Sequence, residues 1–504
     1  MKILSAKQVY QADQATIKKQ AISSIDLMEK AADTCFHWIK DHIPLKNREI
    51  HIFCGIGNNG GDGLVIARKL IQESYEVFTY IVNFSDRKAN DFAINFDSLL
   101  NINHHPTVLN ASDEFPEMKP NSLIIDAIFG IGLTRSPVGF VKEIIENINR
   151  SSGQIVSIDF PSGLFSEATV SDSKSVIRAD YTLTFQNPKL AFFLPENEVY
   201  LGKWSLLDIG LDQNFINALE AKYQTVDTEQ IGSIYKKRSK FSHKGTFGHS
   251  LIIGGSFGKI GAVVLASKAA LKIGSGLVTS YIPKCGYTIL QTSIPEVMVE
   301  VDDEKYIQYF NYKTVPNSIG IGVGLGTHLK TISGFANFLK TNQSTLVLDA
   351  DALNILSRHP ELLELIPENS ILTPHPKEFE RLVGQWHNDY EKLEKLTSFS
   401  SKYKMVVVLK GAYTAIAHNN RIYFNTSGNP ALATAGSGDV LTGIITGLKA
   451  QNYTSVNAAI LGVYIHGSAA DIAINRDLSM ETFTASDGIC YLTEAYKNIL
   501  EYES

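Results

Sequence analysis

The chain has 504 residues, more than one hydrophobic core usually supports, so we expect at least two domains. Its contents of 44% hydrophobic and 19% charged residues are ordinary for a globular protein. A net charge of −6 provides no basic surface for nucleic acid or anionic lipid, so we expect neither a nucleic-acid partner nor a membrane.

The cysteines and the apolar segments indicate a cytoplasmic protein. The four cysteines are far apart and form no CxxC pair, which argues against structural zinc and against a disulfide framework. The N-terminus has no apolar region typical of a signal peptide. The longest apolar segment, 458–474, is interrupted by His466, Ser468 and Asp471, and we interpret it as a packed helix.

The first half alternates short β-branched runs with helical patterns, which is typical of βαβ units on a mostly parallel sheet. A leading helical region, 5–40, should pack against this sheet or against a partner. The pattern predicts strands at 50–54, 76–82, 122–126 and 154–158, and helices at 62–72, 88–100 and 138–149.

The alternation weakens between 208 and 240. Residues 211–240 contain no strong strand pattern and end in the basic run KKRSK, which we interpret as a solvated linker face. We therefore predict domains at 1–215 and 225–504, with the boundary near 215–225.

The second half resumes the same alternation, which predicts another α/β domain. Strands are predicted at 249–253, 276–282, 317–321, 344–348, 404–409 and 414–417. Helices are predicted at 260–273, 351–357, 376–383, 388–402, 438–449 and 454–474.

The first candidate site begins with a glycine-rich turn, GIGNNGGDG at 55–63, between a strand and a helix. Glycines allow a phosphate to approach the backbone, and a helix N-terminus favours an anion. Asp62 is a plausible N-cap for that helix. The spacing also matches the dinucleotide fingerprint, but Asn83 ends the second strand where that fingerprint requires an acid. A tight turn without a ligand is the alternative.

Two further strands of the first half end in carboxylates, at Asp126 and Asp159. Ser162 follows in the segment DFPSG. The carboxyl ends of parallel strands lie along one edge, so these side chains should converge with Asn58 and Asn59. Helix capping is the alternative for either aspartate alone.

The second candidate site is the segment GNPALATAGSGDVLTG at 428–443. Its small residues precede a helix whose first amides are unpaired and can face an anion. Asp439 at this helix start could accept a proton from a hydroxyl that attacks a phosphoryl group, although it could also simply cap the helix.

Two other segments suit a nucleotide site. Lys410–Thr414 follows the strand MVVVL and contains glycine, as nucleotide edges often do, although a lysine there could simply be solvated. His375 lies between two prolines that restrict its backbone, in the same register as the segment DAD at 349–351. We favour a ligand role for His375 over a structural one.

The first half resembles the NAD(P)HX epimerase family in the motif NNGGDGLVIAR, followed by DAIFG and a DxPSG element. The resemblance implies a Rossmann-like three-layer αβα domain and a potassium ion held by Asn59, Asp126 and Ser162. Because one positioned carboxyl can serve as acid and then as base, we expect Asp159 to be the catalytic residue. Ile56 and Phe160 replace the family's usual proline and isoleucine. The resemblance further implies that the hydrated dinucleotide is bound by Asn58, Asn59, Gly60, Gly61, Asp62, Gly130, Ile131, Gly132, Leu133, Thr134, Arg135 and Ser136.

The second half, about 235–498, resembles the ribokinase-like NAD(P)H-hydrate dehydratases in GVGLGT, VLDADALN, TPHPKEFERL and GSGDVLTG. The resemblance implies a three-layer αβα domain that uses Mg²⁺ and ADP, with Asp439 as the catalytic base. Lys377 and Ala431-Leu432 replace the family's usual glycine and Gly-Met. The implied hydrate contacts are Ala262, Gly324, His375 and Asp439, and the implied nucleotide contacts are Lys410, Gly411, Ala412, Tyr413, Thr414 and Gly438.

Together the two resemblances imply a fusion that repairs NADHX and NADPHX, with an epimerase that interconverts the R and S forms and a dehydratase that consumes the S form. The expected partners are these substrates and an adenine nucleotide, and we expect a homo-oligomer. ADP or ATP remains open from the residues, and similarity to bacterial fusions favours ADP. One alternative is a small-alcohol kinase with a regulatory nucleotide-binding domain. Another makes the first half a non-catalytic binding module.

Overall fold

The computed structural model describes residues 1–501, which form two compact units. The first unit comprises Lys2–Ala221 and Asn388–Tyr390. The second comprises Met1, Lys222–His387 and the described residues from Glu391 onward. Both units are α/β, as the alternating pattern predicts.

The elements up to residue 221 alternate for most of their length. The helices are α1 (Ala6–Gln20), α2 (Ser24–His42), α3 (Asn58–Gln72), α4 (Asn90–Leu100), α5 (Phe140–Arg150), α6 (Glu198–Leu201) and α7 (Gln213–Ala218). The strands are β1 (Lys2–Ile3), β2 (Ile50–Cys54), β3 (Val77–Val82), β4 (Thr107–Leu109), β5 (Leu123–Ala127), β6 (Gln154–Ile158), β7 (Tyr181–Phe185) and β8 (Lys203–Leu207).

The elements after residue 221 resume the alternation. The helices are α8 (Thr228–Ile234), α9 (Ile260–Lys272), α10 (Tyr287–Ser293), α11 (Leu329–Thr341), α12 (Ala350–Arg358), α13 (Pro376–Val383), α14 (Asp389–Tyr403), α15 (Ser437–Ala450), α16 (Ser455–Arg476) and α17 (Ala485–Glu501). The strands are β9 (Tyr223–Val226), β10 (His249–Ile253), β11 (Leu277–Ile282), β12 (Met298–Val301), β13 (Ser318–Ile321), β14 (Leu346–Leu348), β15 (Ile371–Leu372), β16 (Val406–Leu409), β17 (Ala415–His418) and β18 (Arg421–Asn425).

The first unit has a parallel sheet in the order β4-β3-β2-β5-β6-β7-β8. Successive side chains of a strand point to opposite faces. Accordingly Ile52 of β2 packs in a core cluster with α2, α3 and α4, whereas Phe53 packs in a second cluster with α5. Helices therefore cover both faces, which gives three layers.

The second unit has a sheet in the order β9-β18-β17-β16-β15-β14-β13-β10-β11-β12. The pairs β16–β17 and β17–β18 are antiparallel and the other pairs are parallel. The central strands β13 to β16 are buried throughout, so both of their faces are covered. Helices α15, α16 and α17 contribute to a core cluster against one face.

The predicted strands and helices are present with shifts of a few residues, but several elements were not predicted. The region 211–240, where no strand was expected, contains β9. The helical region 5–40 is two helices, because Ala21 adopts φ +53° and ends α1. Asp62 is not an N-cap, since α3 begins at Asn58 after the N-cap Gly57. The other elements that were not predicted are β1, β4, β7, β8, β12, β15, β18, α6, α7, α8, α10, α11 and α17.

The apolar segment noted at 458–474 lies within α16. Among residues 1–501 this one helix is long and apolar enough to cross a membrane by length and composition, and 67% of its most apolar window is buried in the protein. This burial agrees with the interpretation as a packed helix. The cysteines are all unpaired, and Cys35 and Cys54 are buried.

Two glycines in the turn after β2 are required by close backbone approach. A Cβ on Gly60 would lie 1.8 Å from the carbonyl oxygen of Gly55, and a Cβ on Gly55 would lie 2.0 Å from that of Ile128. We expect Gly60→Ala to lower the free energy of unfolding of the first unit by about 1–3 kcal/mol, because the backbone must shift. The measurement is a denaturant titration.

The matched control for this substitution is Gly132→Ala. No heavy atom of the described chain lies within 4 Å of a Cβ at that position. The explanation is wrong if both substitutions change the stability equally.

Candidate functional site

The two asparagines at the start of α3 differ in burial. Asn58 is exposed, and Asn59 is 9% exposed. The amide nitrogen and oxygen of Asn59 have no hydrogen-bond partner among residues 1–501. A buried polar group without a partner is costly, so this amide is suited to contact a ligand.

Gly130, in the loop after β5, lies where Asn59 and Asp159 meet. A Cβ on Gly130 would lie 3.4 Å from Cβ of Asn59 and 3.6 Å from Oδ2 of Asp159. The structure thus brings together three of the residues predicted for this site. The glycine leaves the space between the amide and the carboxylate open.

The rest of the loop 130–136 is less closely placed. Gly132, Thr134 and Arg135 are exposed, and Ile131 and Leu133 are half-buried. The hydroxyl of Ser136 shares a hydrogen bond of 2.9 Å with that of Ser171. These residues border the site, and their contact with a ligand stays a prediction.

Asp126, at the end of β5, is fully buried and saturated with hydrogen bonds. Its carboxylate accepts from the hydroxyl of Ser157 at 2.7 Å, from the amide and hydroxyl of Ser162 at 2.9 and 2.5 Å, and from the amide of Ile128 at 3.3 Å. Burial raises the pKa of Asp126, and the hydrogen bonds from Ser162 and Ser157 oppose this rise. The structure therefore joins Asp126 to Ser162, as the sequence predicts.

Asp159 follows β6 in a backbone conformation that non-glycine residues rarely adopt, with φ +59°. Its Oδ1 lies 3.2 Å from Nζ of Lys189, whose side chain is 1% exposed. Lys189 also donates to the carbonyl oxygens of Phe185 at 3.0 Å and Asn187 at 3.1 Å. Such strain is often found at functional sites, and here the lysine compensates the charge of the carboxylate.

Lys189 was missed by the sequence analysis. It lies in the segment QNPKLAFF, 30 residues after Asp159, with no motif around it that indicates a site. The only signal in the sequence was a lysine among apolar residues. Such a lysine can be buried, and a fully buried lysine requires a partner.

In the second unit the start of α15 is open to an anion. Its N-cap is Gly436, with φ +88°, which offers no side chain to the amides of the first turn. Asp439 lies in that turn and is not the N-cap, which excludes the capping alternative. A Cβ on Gly438 would lie 3.3 Å from Nζ of Lys410, so the predicted Gly438 and Lys410 are neighbours.

A buried carboxylate, Asp349, organises this region. Its Oδ1 accepts from Nζ of Lys410 at 2.9 Å, and its Oδ2 accepts from the hydroxyl of Thr442 at 2.7 Å. The pKa of Asp439 is raised to about 6, mainly by burial and also by the charges of Asp349 and Asp351, while Lys410 opposes the rise. A carboxyl with this pKa can act as a general base near neutral pH.

His375 has a structural role that the sequence left open. It is the N-cap of α13, and its Nδ1 accepts from the amides of Lys377 at 3.1 Å and Glu378 at 3.4 Å. Glu378 in turn accepts from the amide of His375 at 2.9 Å and lies 4.0 Å from Nζ of Lys410. The capping interaction therefore holds Glu378 near Lys410, and a ligand role for His375 stays a prediction.

The other predicted contacts of the second unit form two groups. Two of the predicted hydrate contacts, Gly324 and Ala262, are neighbours. Gly324 has φ +59°, and a Cβ at this position would lie 3.2 Å from Cβ of Ala262. Residues 410–414 form the tight connection between β16 and β17, which is closed by a hydrogen bond of 3.1 Å from the hydroxyl of Thr414 to the carbonyl of Gly411. Ala412 is exposed and Tyr413 is half-buried.

We expect Thr442→Val to destabilise the second unit by about 1–3 kcal/mol, because it removes a donor to the buried carboxylate of Asp349. Thermal unfolding measures the effect. Thr446→Val is the control on the same helix, since Thr446 donates only to the backbone carbonyl of Thr442, at 2.7 Å. An equal loss of stability in both variants would show that the hydrogen bond to Asp349 contributes no more than the one from Thr446 to the backbone.

Carboxylates and glycines at the carboxyl edges of two α/β sheets define a two-domain enzyme. Residues 24–191 match a family described as YjeF-related protein N-terminus, and residues 250–491 match one described as NAD(P)H-hydrate dehydratase. The bifunctional NAD(P)H-hydrate repair enzyme of Moorella thermoacetica is 33% identical over 99% of this chain and 98% of its own. That of Escherichia coli is 34% identical over 90% of this chain and 85% of its own.

The chain therefore belongs to the family of bifunctional NAD(P)H-hydrate repair enzymes. This result confirms the family and the fold class inferred from the sequence and supports them over a small-alcohol kinase. The crystal structure of the ADP/ATP-dependent NAD(P)H-hydrate dehydratase of Bacillus subtilis is 27% identical, covers 55% of this chain and 98% of its own, and gives a TM-score of 0.47.

Proposed function

We propose that the first unit epimerises hydrated NADH and NADPH at C6, with Asp159 as acid–base residue, and that the second unit dehydrates the S epimer with ADP, with Asp439 as base. The observation that supports this proposal most is that Asp159 pairs with the buried Lys189 beside Gly130, while Asp439 follows Gly438, which lies beside the ion pair of Lys410 and Asp349.

The hydrate is a carbinolamine, since its C6 hydroxyl is bonded to the carbon next to ring nitrogen N1. The N1 lone pair expels this hydroxyl once an acid protonates it, and water can then add to either face of the planar iminium. A positioned carboxyl contributes about 10²–10⁴ in rate to such a step. Asp159 faces the open space at Gly130, and the Asn59 amide beside it can bind the polar substrate.

The first site also has oxygen donors for a potassium ion. The fit rests on the amide oxygen of Asn59, which is buried and unpaired within the described chain, and on the hydroxyl of Ser162 next to the buried Asp126. A bound monovalent cation would offset the charge of Asp126 and of substrate phosphates, as hard cations do with oxygen ligands.

In the second unit Asp439 takes the proton from the C6 hydroxyl as this oxygen attacks the β-phosphoryl group of ADP, with AMP as the leaving group. Lys410 and the free amides at the start of α15 offset the charge on the transferring group. Phosphate then leaves from C6, assisted by N1, and loss of a proton from C5 restores the dihydronicotinamide. The products are NAD(P)H, AMP and phosphate.

Magnesium fits this second site together with the nucleotide. No three His, Cys, Asp or Glu side chains within residues 1–501 are arranged to hold a metal on their own. Mg²⁺ is usually held by one or two carboxylates, waters and substrate phosphates, and Glu378 near Lys410 can supply such a carboxylate through water. The ion would supply charge neutralisation on the phosphates.

Asp439→Asn should remove dehydration and leave epimerisation intact, and Asp159→Asn should do the reverse, because each changes one site only. We expect a loss of about 10²-fold or more in the affected activity. The assay mixes both hydrate epimers with ADP or ATP and follows near-UV absorbance and free phosphate together, with chromatography of the epimers.

Two outcomes would contradict this proposal. A stable phosphorylated product without recovered absorbance would indicate kinase activity instead. Dehydration by Asp439→Asn at the wild-type rate would show that another residue is the base.

The kcat/KM of dehydration should fall about tenfold per pH unit below pH 6, because Asp439 has to be ionised and its pKa is raised to about 6. Asp351→Asn removes a charge that raises this pKa, so the acidic limb should move to lower pH. An unchanged limb in that variant would assign it to another group.

A further inference from the structure

The two carboxyl oxygens of Asp159 have different surroundings. Its Oδ1 lies 3.2 Å from Nζ of Lys189, accepts from the hydroxyl of Thr184 at 3.3 Å, and lies 3.5 Å from the amide nitrogen of Phe185. Its Oδ2 lies 3.6 Å from the position of a Cβ on Gly130. Within the described part of the chain no group donates a hydrogen bond to Oδ2. One oxygen is therefore held by the protein, and the other faces the open space of the site.

The ammonium group of Lys189 is fully used by the protein. An ammonium has three protons, and Nζ has three acceptors: Oδ1 of Asp159 and the carbonyl oxygens of Phe185 at 3.0 Å and Asn187 at 3.1 Å. The lysine side chain is 1% exposed, whereas that of Asp159 is 14% exposed. The lysine therefore has no proton to offer to a substrate, and its effect on the reaction passes through the carboxylate.

The turn that carries Lys189 is itself fixed by hydrogen bonds. Gln186 begins this turn with φ +57°, and its side-chain oxygen accepts from the amide of Ile209 at 3.2 Å. The side-chain amide of Asn187 donates to the carbonyl of Lys2 at 2.9 Å. The ammonium group is therefore presented from a segment whose position is set by two other parts of the first unit.

We infer that Lys189 is a positioning residue of the epimerase, which holds Oδ1 of Asp159 so that Oδ2 alone exchanges protons with the substrate. This inference rests on the function proposed above for the first unit. When the carboxyl is protonated, its proton lies on Oδ2, because Oδ1 already accepts from the ammonium group and from a hydroxyl.

The fixed orientation serves both steps of the epimerisation. Oδ2 gives its proton to the C6 hydroxyl, the C6–O bond breaks, water leaves, and the N1 lone pair forms the iminium. A water that adds to C6 then returns a proton to Oδ2, so the carboxyl ends as it began. A misplacement of about 1 Å can cost about 10²-fold in rate, so a carboxyl held in one orientation reacts faster than one that rotates.

The first test compares Thr184→Val with Thr182→Val in the full chain. Both threonines are fully buried on the same face of β7, but the hydroxyl of Thr182 donates to the carbonyl of Leu201, at 2.8 Å. Because Thr184→Val removes one donor to Oδ1, we expect kcat of epimerisation to fall about threefold to tenfold, with KM unchanged. Thr182→Val should alter neither constant. Chromatography of the two epimers of hydrated NADH gives both constants.

The second test removes the charge of the lysine. Lys189→Met keeps a side chain of similar length, and Lys69→Met makes the same change in another ion pair of the first unit, where Nζ of Lys69 lies 2.7 Å from Asp33. We expect Lys189→Met to lower kcat of epimerisation by about 10²-fold, with KM within about twofold and dehydration of the S epimer unchanged. Lys69→Met should leave both activities at the wild-type level.

Thermal unfolding separates positioning from a structural role. Each kcat is referred to the fraction of protein that is folded at the assay temperature. Loss of the cation leaves a partly buried carboxylate uncompensated, so Lys189→Met should also melt at a lower temperature. If Lys189→Met does not fold, Thr184→Val decides the question, because it changes no charge and has a control on the same strand.

The outcomes distinguish this inference from the proposed function. The role of Lys189 is wrong if Asp159→Asn abolishes epimerisation while the folded Lys189→Met and Thr184→Val proteins keep at least half of the wild-type kcat, or show a raised KM instead. It is also wrong if Thr182→Val has the same effect as Thr184→Val. If Asp159→Asn itself keeps the wild-type activity, the function proposed for the first site fails, and the role of Lys189 fails with it.

Discussion

The pairing of buried carboxylates with a small number of donors is the interaction on which both sites depend. Asp126 is held by two serines, Asp159 by Lys189, and Asp349 by Lys410 and Thr442. A buried carboxylate without such partners would be protonated or would destabilise the fold. The strand ends can carry these acids only because neighbouring elements supply the donors.

The alternation of strands and helices was readable from the sequence because buried parallel strands are short, apolar runs between helical patterns. The missed elements lack this signal. Strand β9 has the sequence YQTV, with two half-buried residues, and joins the sheet next to β18, almost 200 residues later in the chain. Such a strand is specified by its partner rather than by its own pattern.

The residues of the candidate sites likewise include some that the sequence indicates and some that it does not. Asn59, Asp126, Asp159 and Asp439 could be located because a motif or a strand end marks each one. Lys189 and Thr442 could not, since their importance comes from contacts with distant parts of the chain. The role of Asp62 as a cap was wrong for a local reason: with Gly57 as its N-cap, α3 begins at Asn58, four residues before the predicted start at 62.

The two sites differ in how the negative charge of their carboxylates is offset. In the first, Lys189 pairs with Asp159, and burial raises the pKa of both Asp13 and Asp62. In the second, Asp349, Asp439 and Glu378 share Lys410, and nucleotide phosphates would add further negative charge. Protons alone would neutralise Asp439 and remove the proposed base. A divalent cation bound with the nucleotide would offset the same charge and would allow Asp439 to stay ionised.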